Sequence, residues 1–507
     1  MHKITSKFAA GFHKRVGSSG RPAPHLGSIE SSIYQYRKQR GVNLGSWFVL
    51  ERWITDAPFR HAEPPAQSDL DVARGAHAKQ VLEAHYDNWI TESDWAWISE
   101  LGLNTVRIPI GYYHLCGADP SVLVGTDFAN YGEVFCGVWP RLIKAIETAE
   151  RFGLGVLLDL HAAPGKQNND AHAGTSNPPA FFSEKRHRAH TIHVLRTLVS
   201  QLNAHTPRLA NVVGIELLNE PHPIADQELQ KWYSAAIKDI SALDPALPIY
   251  LSDCWKTEQY AEYIKSTPQQ SLVVLDHHLC RCFTASDIST TAPAHARALT
   301  DAGAQTPRMF AHVAEMLDAA GAGFVVGEWS GALNPGSLTG APDDAKNYVA
   351  AQLRLYETHC AGNFFWTYKK QGGPDHGWCL RDAVAAGVFP SQVALVVTKS
   401  GEGDRERQMR TRDTLKDAAS EHIAYWSQFP GKYEHARFAD GFVQGWDDAY
   451  SFFFASGGRH VSELGFVGAW ARRKTKDHGP GFWESLHGFK QGVAAARKDF
   501  QEFYCSG

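Results

Sequence analysis

Eight short apolar runs, each closing on polar or aromatic residues, constrain this chain more than any other feature. They fall at residues 41–44, 105–109, 155–160, 212–218, 249–252, 272–276, 324–327 and 364–367. A strand buried on both faces reads as an unbroken apolar run rather than an alternating one. Most gaps between the runs carry helical periodicity. In the stretch 139–152, Leu142, Ile143, Ile146 and Ala149 share one face. Strand then helix, eight times over, predicts an α/β fold, a (β/α)8 TIM barrel. The run ends supply Asn43, Arg107, His161, Asn219 with Glu220, Asp253, His277 with His278, Glu328 and Trp366. In a barrel these gather at one rim. Ends that merely meet water call for Lys, Ser and Asp at random. Two Glu, three His, an Arg and a Trp point instead to an active site.

The fourth run closes Leu217-Leu218-Asn219-Glu220-Pro221. Neighbours on a strand face opposite ways, so Asn219 and Glu220 cannot both point inward from a regular strand. The strand is expected to finish near Leu218 and turn outward. Pro221 bars simple continuation because it lacks a backbone donor. A carboxylate beside an amide there suits proton transfer to a leaving oxygen. A loop Glu before a turn-forming Pro is the plainer alternative. Glu328 closes the seventh run, across the expected mouth from the fourth. Two carboxyls about 5–5.5 Å apart serve a retaining glycosidase as nucleophile and acid/base. Arg107 is suited to hold the nucleophile ionised through a charge-assisted bond.

Several motifs carry a family resemblance. Gly41-Val42-Asn43-Leu44-Gly45-Ser46-Trp47, Leu50-Glu51-Arg52-Trp53-Ile54 and Val106-Arg107-Ile108-Pro109-Ile110-Gly111-Tyr112 resemble motifs of fungal exo-β-1,3-glucanases in glycoside hydrolase family 5. So do Asp159-Leu160-His161-Ala162-Ala163-Pro164-Gly165 with Gln167-Asn168, and Leu217 to Pro221. Val326-Gly327-Glu328-Trp329-Ser330 and Phe365-Trp366-Thr367-Tyr368-Lys369 complete the set. The motifs cover roughly residues 38–392, in the family's order, and the order makes them specific.

The resemblance implies a retaining β-glucoside hydrolase, a glucan exo-1,3-β-glucosidase releasing glucose by double displacement. Glu328 is then the nucleophile and Glu220 the acid/base. Asn219 is implied to bond the sugar 2-hydroxyl, with Arg107, His161 and His278 framing the site. Glu51 and Trp366 are implied to hold the terminal sugar, Trp366 by stacking. The chemistry needs no cofactor and no metal. One position departs from the family. In Asp276-His277-His278-Leu279-Cys280-Arg281-Cys282-Phe283, Cys280 stands where the family places a Tyr whose hydroxyl contacts the nucleophile. Either the register differs, another hydroxyl serves, or the rate is reduced. His278, Cys280 and Cys282 alternate on one strand face, but no second cluster completes a tetrahedral metal site, and buried free thiols are the simpler reading.

The rest of the chain bounds the surroundings. With a formal net charge of -4, the protein has no field to draw nucleic acid or an anionic membrane. No apolar run is long enough to span a bilayer. Residues 1–10 lack the apolar block of a secretory signal, so a cytoplasmic protein with reduced thiols is expected. The basic, acid-free stretch before Glu30 fits a disordered tail or, alternatively, a mitochondrial presequence. Three regions are expected: a tail at 1–33, a catalytic barrel at 34–395, and a charged linker with a helical extension at 396–507. Helix is expected from about Glu421. Within the extension, Gly441-Phe442-Val443-Gln444-Gly445 echoes Gly488-Phe489-Lys490-Gln491-Gly492. Small residues four apart let another backbone approach, so two related helices pack together, or the appendage binds a partner. The Trp-Ser-Gln-Phe-Pro-Gly stretch at 426–431 and the missing signal resemble an intracellular branch of these enzymes. That branch leaves room for steryl glucosides or glucosylceramide as substrates. Residues 56–82 are then either a lid over an aglycone or a plain surface loop. A non-catalytic carbohydrate binder or scaffold is the third reading, resting on Cys280 alone.

Overall fold

The computed structural model of the protein describes residues 29–267, 271–399, 405–455, 460–474, 479 and 481–505. Of the expected N-terminal tail, residues 1–28 lie outside this set, while Ile29–Tyr36 form a helix, α1. Eight parallel strands close into a barrel in chain order. They are β1 (Gln39–Asn43), β2 (Thr105–Gly111), β3 (Gly155–Ala162), β4 (Val212–Glu216), β5 (Ile249–Ser252), β6 (Val273–Leu279), β7 (Gly323–Trp329) and β8 (Gly362–Phe365). Each apolar run overlaps one strand, and β1 pairs with both β2 and β8. The fourth strand stops at Glu216, two residues ahead of the expected Leu218. Every strand residue but two, Leu279 and Glu328, is fully buried, which is why alternation is invisible in the sequence.

Helices connect successive strands. The helix Val138–Arg151 buries Leu142, Ile146 and Ala149 as its periodicity predicts, with Ile143 partly buried beside them. Gly153, in the left-handed region at φ 70°, turns the chain from there toward β3. The segment 56–82 is not a plain loop. It folds into a turn of 3-10 helix (Ala57–His61) and a short helix (Asp69–Arg74) whose first turn is fixed by a Ser68 capping box. Phe59, Leu70, Val72 and Leu82 all join the main core, so Phe59 and Val72 are not free to meet an aglycone.

The barrel interior has two layers of different chemistry. Nearest the N-terminal ends of the strands, Leu157, Val213, Tyr250, Val274, Val325 and Phe364 form an apolar layer, crossed by a 2.7 Å bond from Gln39 Nε2 to the Tyr250 hydroxyl. One step toward the C-terminal ends come Asn43, Arg107, Asp159, Glu216 and Asp276, all buried.

The C-terminal extension closes the bottom of the barrel. Its helices are α2 (Arg407–Trp426), α3 (His435–Ala455), α4 (Val467–Lys474) and α5 (Phe482–Phe500). Helix thus starts at Arg407 rather than Glu421, and the expected linker reduces to the residues before it, of which 400–404 lie outside the described set. Phe452, Leu464, Phe466, Phe482 and Phe489 share one apolar cluster with the lower barrel layer and with Tyr36 of α1. Phe466 lies against the first residue of β7, Gly323. Polar contacts secure the junction. Arg40 meets Glu463 at 2.6 Å and Glu357 at 3.0 Å, and the Gly465 N–H donates to the Tyr36 carbonyl at 2.9 Å.

The repeated glycines explain how α3 and α5 meet. A Cβ on Gly441 or Gly445 would stand 2.2 Å from the carbonyl oxygen of Ser485 or Phe489. A Cβ on Gly488 or Gly492 would stand 2.0 or 2.1 Å from the carbonyl oxygen of Phe438 or Phe442. The two echoed motifs therefore face each other, each removing the side chain that would hold the other helix away. Of the two readings of the repeat, helix-on-helix packing is what the fold contains.

Candidate active site

All eight candidate residues meet at the C-terminal rim of the barrel. Arg107 is the centre of the arrangement and is wholly buried. Its Nη1 donates to Glu328 Oε1 at 2.7 Å and to Asn43 Oδ1 at 3.0 Å. Its Nε donates to Glu216 Oε2 at 2.8 Å and its Nη2 to Asn219 Oδ1 at 2.9 Å, with Asp159 Oδ2 at 3.1 Å from Nη2. A planar fork with five donors suits such a convergence, and a lysine could not make it. Asp159, Glu216, Glu328 and Asp276 drive the guanidinium well above even its usual range, against the desolvation that burial imposes. Burial pushes the Glu216 carboxyl well up in spite of Arg107, and the like charges of Asp159 and Asp276 add to the rise.

The turn after β4 delivers Glu220. Leaving the strand at Glu216, the chain bonds back through the Asn219 N–H to the Leu160 carbonyl at 3.0 Å. Glu220 then adopts the left-handed region at φ 42°, unusual for a residue with a side chain and common at functional sites. Gln167 and Asn168 hold it there. Gln167 Nε2 donates to the Asn219 carbonyl at 3.1 Å and Asn168 Nδ2 to the Glu220 carbonyl at 3.0 Å.

Glu220, His278 and Glu328 form one cluster. His278 Nδ1 lies 2.6 Å from Glu220 Oε1 and 3.7 Å from Glu328 Oε2. Ligating oxygens of the two glutamates and a nitrogen of His278 all fall within 4.8 Å of one another. Burial would depress the His278 imidazolium, but Glu328, Asp276 and Glu220 together raise it well above the ordinary range. Burial would likewise raise Glu220, yet the bond from His278 and the field of His278, His172 and His161 bring it down to about 2. Glu328 moves up, through burial first and Glu220 after it, against the pull of His278 and Arg107. The three groups lie close enough to titrate together, with His278 between the two carboxylates.

The remaining candidates line the wall. His161 Nδ1 donates to Asp159 Oδ2 at 2.6 Å, which fixes the ring and raises it despite burial. Its Nε2 lies 3.4 Å from Asn219 Nδ2. Trp366 lies parallel to the His161 ring, at 5.8 Å and 7°. Glu51 accepts a 2.7 Å bond from Trp53 Nε1, and burial lifts its carboxyl to about 7. Cys280 has a thiol that burial pushes well up, with Cys282, Glu328 and Glu220 adding to the effect, so it stands neutral beside the carboxylates. Neither Cys280 nor Cys282 belongs to any group of mutually close metal-ligating atoms among the described residues. All eight cysteines are unpaired.

Two expected rim residues, His277 and Asp253, pair with each other instead of joining the cluster. His277 points out of the barrel, 2.6 Å from Asp253 and edge-on to Phe310, because it alternates with His278 along β6. Other residues at the site were not expected. Asp159 and Glu216 sit under Arg107, and Asp276 Oδ1 accepts the Gly327 N–H at 2.5 Å. A Cβ at Gly327 would stand 2.0 Å from the same carboxylate, so only glycine fits before Glu328. His172, on the 3-10 turn Ala171–Ala173, places its ring 4.8 Å from His161. Two-residue spacing on one strand face, Asp159 to His161 and Asp276 to His278, is a signal for the two aspartates but not for Glu216. His172 has no such signal.

Comparison with known proteins agrees with the fold. Residues 74–372 match the family model described as cellulase, glycosyl hydrolase family 5, and residues 407–503 match the glucan 1,3-beta-glucosidase 3 C-terminal domain. Glucan 1,3-beta-glucosidase 3 of Schizosaccharomyces pombe is 30% identical over 93% of this chain and 97% of its own length. An uncharacterized glycosyl hydrolase of Saccharomyces cerevisiae is 32% identical over 83% of each chain. The crystal structure of rutinosidase from Aspergillus niger shares the fold, with a TM-score of 0.57 at 19% identity over 71% of this chain and 99% of that one. The chain belongs to the cellulase family, glycosyl hydrolase family 5, and is a glycoside hydrolase.

Proposed function

We propose that the chain is a retaining β-glucoside hydrolase that releases glucose from β-1,3-glucan ends, with Glu328 as nucleophile and Glu220 as acid/base. The observation that carries this is the carboxyl separation. Oxygens of Glu220 and Glu328 lie within 4.8 Å of each other. Retaining enzymes hold the pair at about 5–5.5 Å, whereas inverting enzymes leave about 6.5–9.5 Å for a water. Relatives named glucan 1,3-beta-glucosidase support the substrate class.

The roles follow from the partners. Arg107 bonds Glu328 directly and keeps a carboxylate ready to attack. His278 bonds Glu220 at 2.6 Å, close enough to exchange a proton with it. In the first step a Glu328 oxygen bonds the anomeric carbon, the glycosidic C–O bond breaks, and Glu220 passes its proton to the leaving oxygen. In the second, water attacks the same carbon, its proton returns to Glu220, and the bond to Glu328 breaks. Asn219, oriented by Arg107, offers its amide to the sugar 2-hydroxyl. Glu51 and Trp366 hold the terminal sugar, with His161 behind Trp366. The barrel, 34–395, is the catalytic unit, and 396–507 is its extension. A cytoplasmic location accompanies this reading; no helix among the described residues is long and apolar enough to cross a membrane.

A second substrate reading, an apolar aglycone such as a sterol or ceramide, is favoured by one feature. Trp53, Trp255, Phe283 and Ile224 are 44%, 51%, 73% and 79% exposed, on loops that leave the C-terminal ends of the strands. Azide rescue tests the mechanism. With an activated β-glucoside, Glu328→Gly is expected to form α-glucosyl azide and Glu220→Gly the β-anomer. Release of α-glucose first by the wild type, with neither adduct, overturns the assignment. Relative rates on laminarin, steryl glucoside and glucosylceramide separate the two substrates.

A further inference from the structure

A second cluster of ligating side chains lies far from the sugar site, in the helical extension. His422 comes from the last turns of α2, His435 opens α3, and Glu484 lies in the first turn of α5. Glu484 is 1% exposed and His422 is 4% exposed. Glu484 Oε2 faces both histidines, at 3.3 Å from His422 Nε2 and 3.6 Å from His435 Nδ1. Its Oε1 accepts the Glu434 N–H at 2.5 Å, which fixes the carboxylate. One ligating atom from each of the three residues lies within 4.8 Å of the other two.

The surroundings are aromatic, with the His487 ring 5.4 Å from His422. Phe438 stacks on His422 at 4.0 Å, Tyr433 on His435 at 5.8 Å, and Trp426 and Trp483 meet edge to face at 4.8 Å. A buried carboxylate in such a pocket needs a cation, since an unpaired charge there is costly. Among the described residues its ion-pair partners within 4 Å are the two histidines, with no lysine or arginine. The distances are informative. A charge-assisted N–H to carboxylate bond closes to about 2.7–2.9 Å. Ligands held about 2.0–2.1 Å from a tetrahedral zinc ion lie roughly 3.3–3.4 Å apart. The observed 3.3 and 3.6 Å match that ligand spacing, the shorter of them being also a long hydrogen bond.

We propose that His422, His435 and Glu484 bind a divalent cation of the zinc class that pins α2 to the starts of α3 and α5. Two imidazole nitrogens and one carboxylate oxygen are a common zinc donor set, with water as the fourth ligand. The Glu434 backbone bond to Glu484 is the outer-shell support such sites use.

The test uses the full-length protein, purified without a histidine tag and dialysed against chelator. Cobalt(II) is expected to give the visible d–d absorption of a tetrahedral site, and zinc to displace it and raise Tm. Glu484→Gln and His435→Gln are expected to lower zinc affinity by more than the ~10–100-fold that loss of an outer-shell group costs. Both variants keep the hydrolytic rate of the parent. Glu328→Gln serves as the control for binding at the sugar site and is expected to keep the zinc. Absence of both the cobalt spectrum and the Tm rise in the folded wild type overturns the proposal. So does zinc that persists in the Glu484 and His435 variants and is lost in Glu328→Gln. Should a variant fail to fold, the wild-type cobalt spectrum decides.

Discussion

Arg107 Nη1 stands 2.7 Å from Glu328 Oε1, and the same guanidinium donates through Nε to Glu216 Oε2 at 2.8 Å. One cation therefore serves both an upper and a lower carboxylate. Removing it leaves Glu216 buried without an ion-pair partner and Asp159 with His161 alone. Arg107→Met is expected to cost about 3–5 kcal/mol in urea unfolding, as breaking a buried ion pair does. Adding Glu216→Met to that variant should recover stability without recovering turnover. Equal activity losses with no stability change would mean that Arg107 acts on Glu328 alone.

Glu51 predicts a pH dependence of substrate binding. Burial raises its carboxyl to about 7, so it ionises near neutrality. The ionised form accepts hydrogen bonds from sugar hydroxyls better than the acid does. KM for an aryl β-glucoside should fall as pH rises through about 7, and Glu51→Gln should flatten that slope. A KM that is independent of pH in the wild type contradicts the assignment.

Glu357 predicts a pH dependence of stability. Burial alone would raise its carboxyl, but Arg40 and Lys38 outweigh that and hold it down to about 2. A depressed folded-state value gives stability that is present above the unfolded carboxyl value. That stability is lost as pH falls through the folded one. Tm of the wild type should drop between about pH 4.5 and 2 more steeply than that of Glu357→Gln. Parallel curves would remove Glu357 from the junction between barrel and extension.

Gly445→Ala sets two effects against each other. Helix propensity favours alanine by about 1 kcal/mol. The new Cβ would stand 2.2 Å from the Phe489 carbonyl oxygen, which is backbone and cannot rotate away. Overpacking of this kind costs about 1–3 kcal/mol, so a net loss is expected in chemical unfolding. A gain in stability would show that α3 and α5 part easily.

The sequence carried the barrel because buried parallel strands leave apolar runs, and it carried the rim because each run ends in groups that do chemistry. The layer beneath the rim was harder to see. Asp159, Glu216 and Asp276 lie within or beside apolar stretches, where a lone acid reads as an interruption. Only the closed barrel shows that all three converge on Arg107 and His278. The glycine pairs of the extension were legible because close backbone contact excludes side chains at fixed spacing. The contact of Phe466 with Gly323 was not, since no local pattern links residues so far apart in the chain. His422, His435 and Glu484 were missed for the same reason.

The apolar cluster that joins the lower barrel layer to α5 has a consequence for how the protein is made. The eighth strand ends at Phe365, but Phe489, which helps seal the barrel floor, lies near the end of the chain. At about 5–20 residues per second, a ribosome needs roughly 6–25 s more to deliver it. For that interval the nascent barrel is a cup with a greasy open base. A premature stop codon within the extension therefore leaves the catalytic residues intact and still yields a product that chaperones and proteases treat as unfinished.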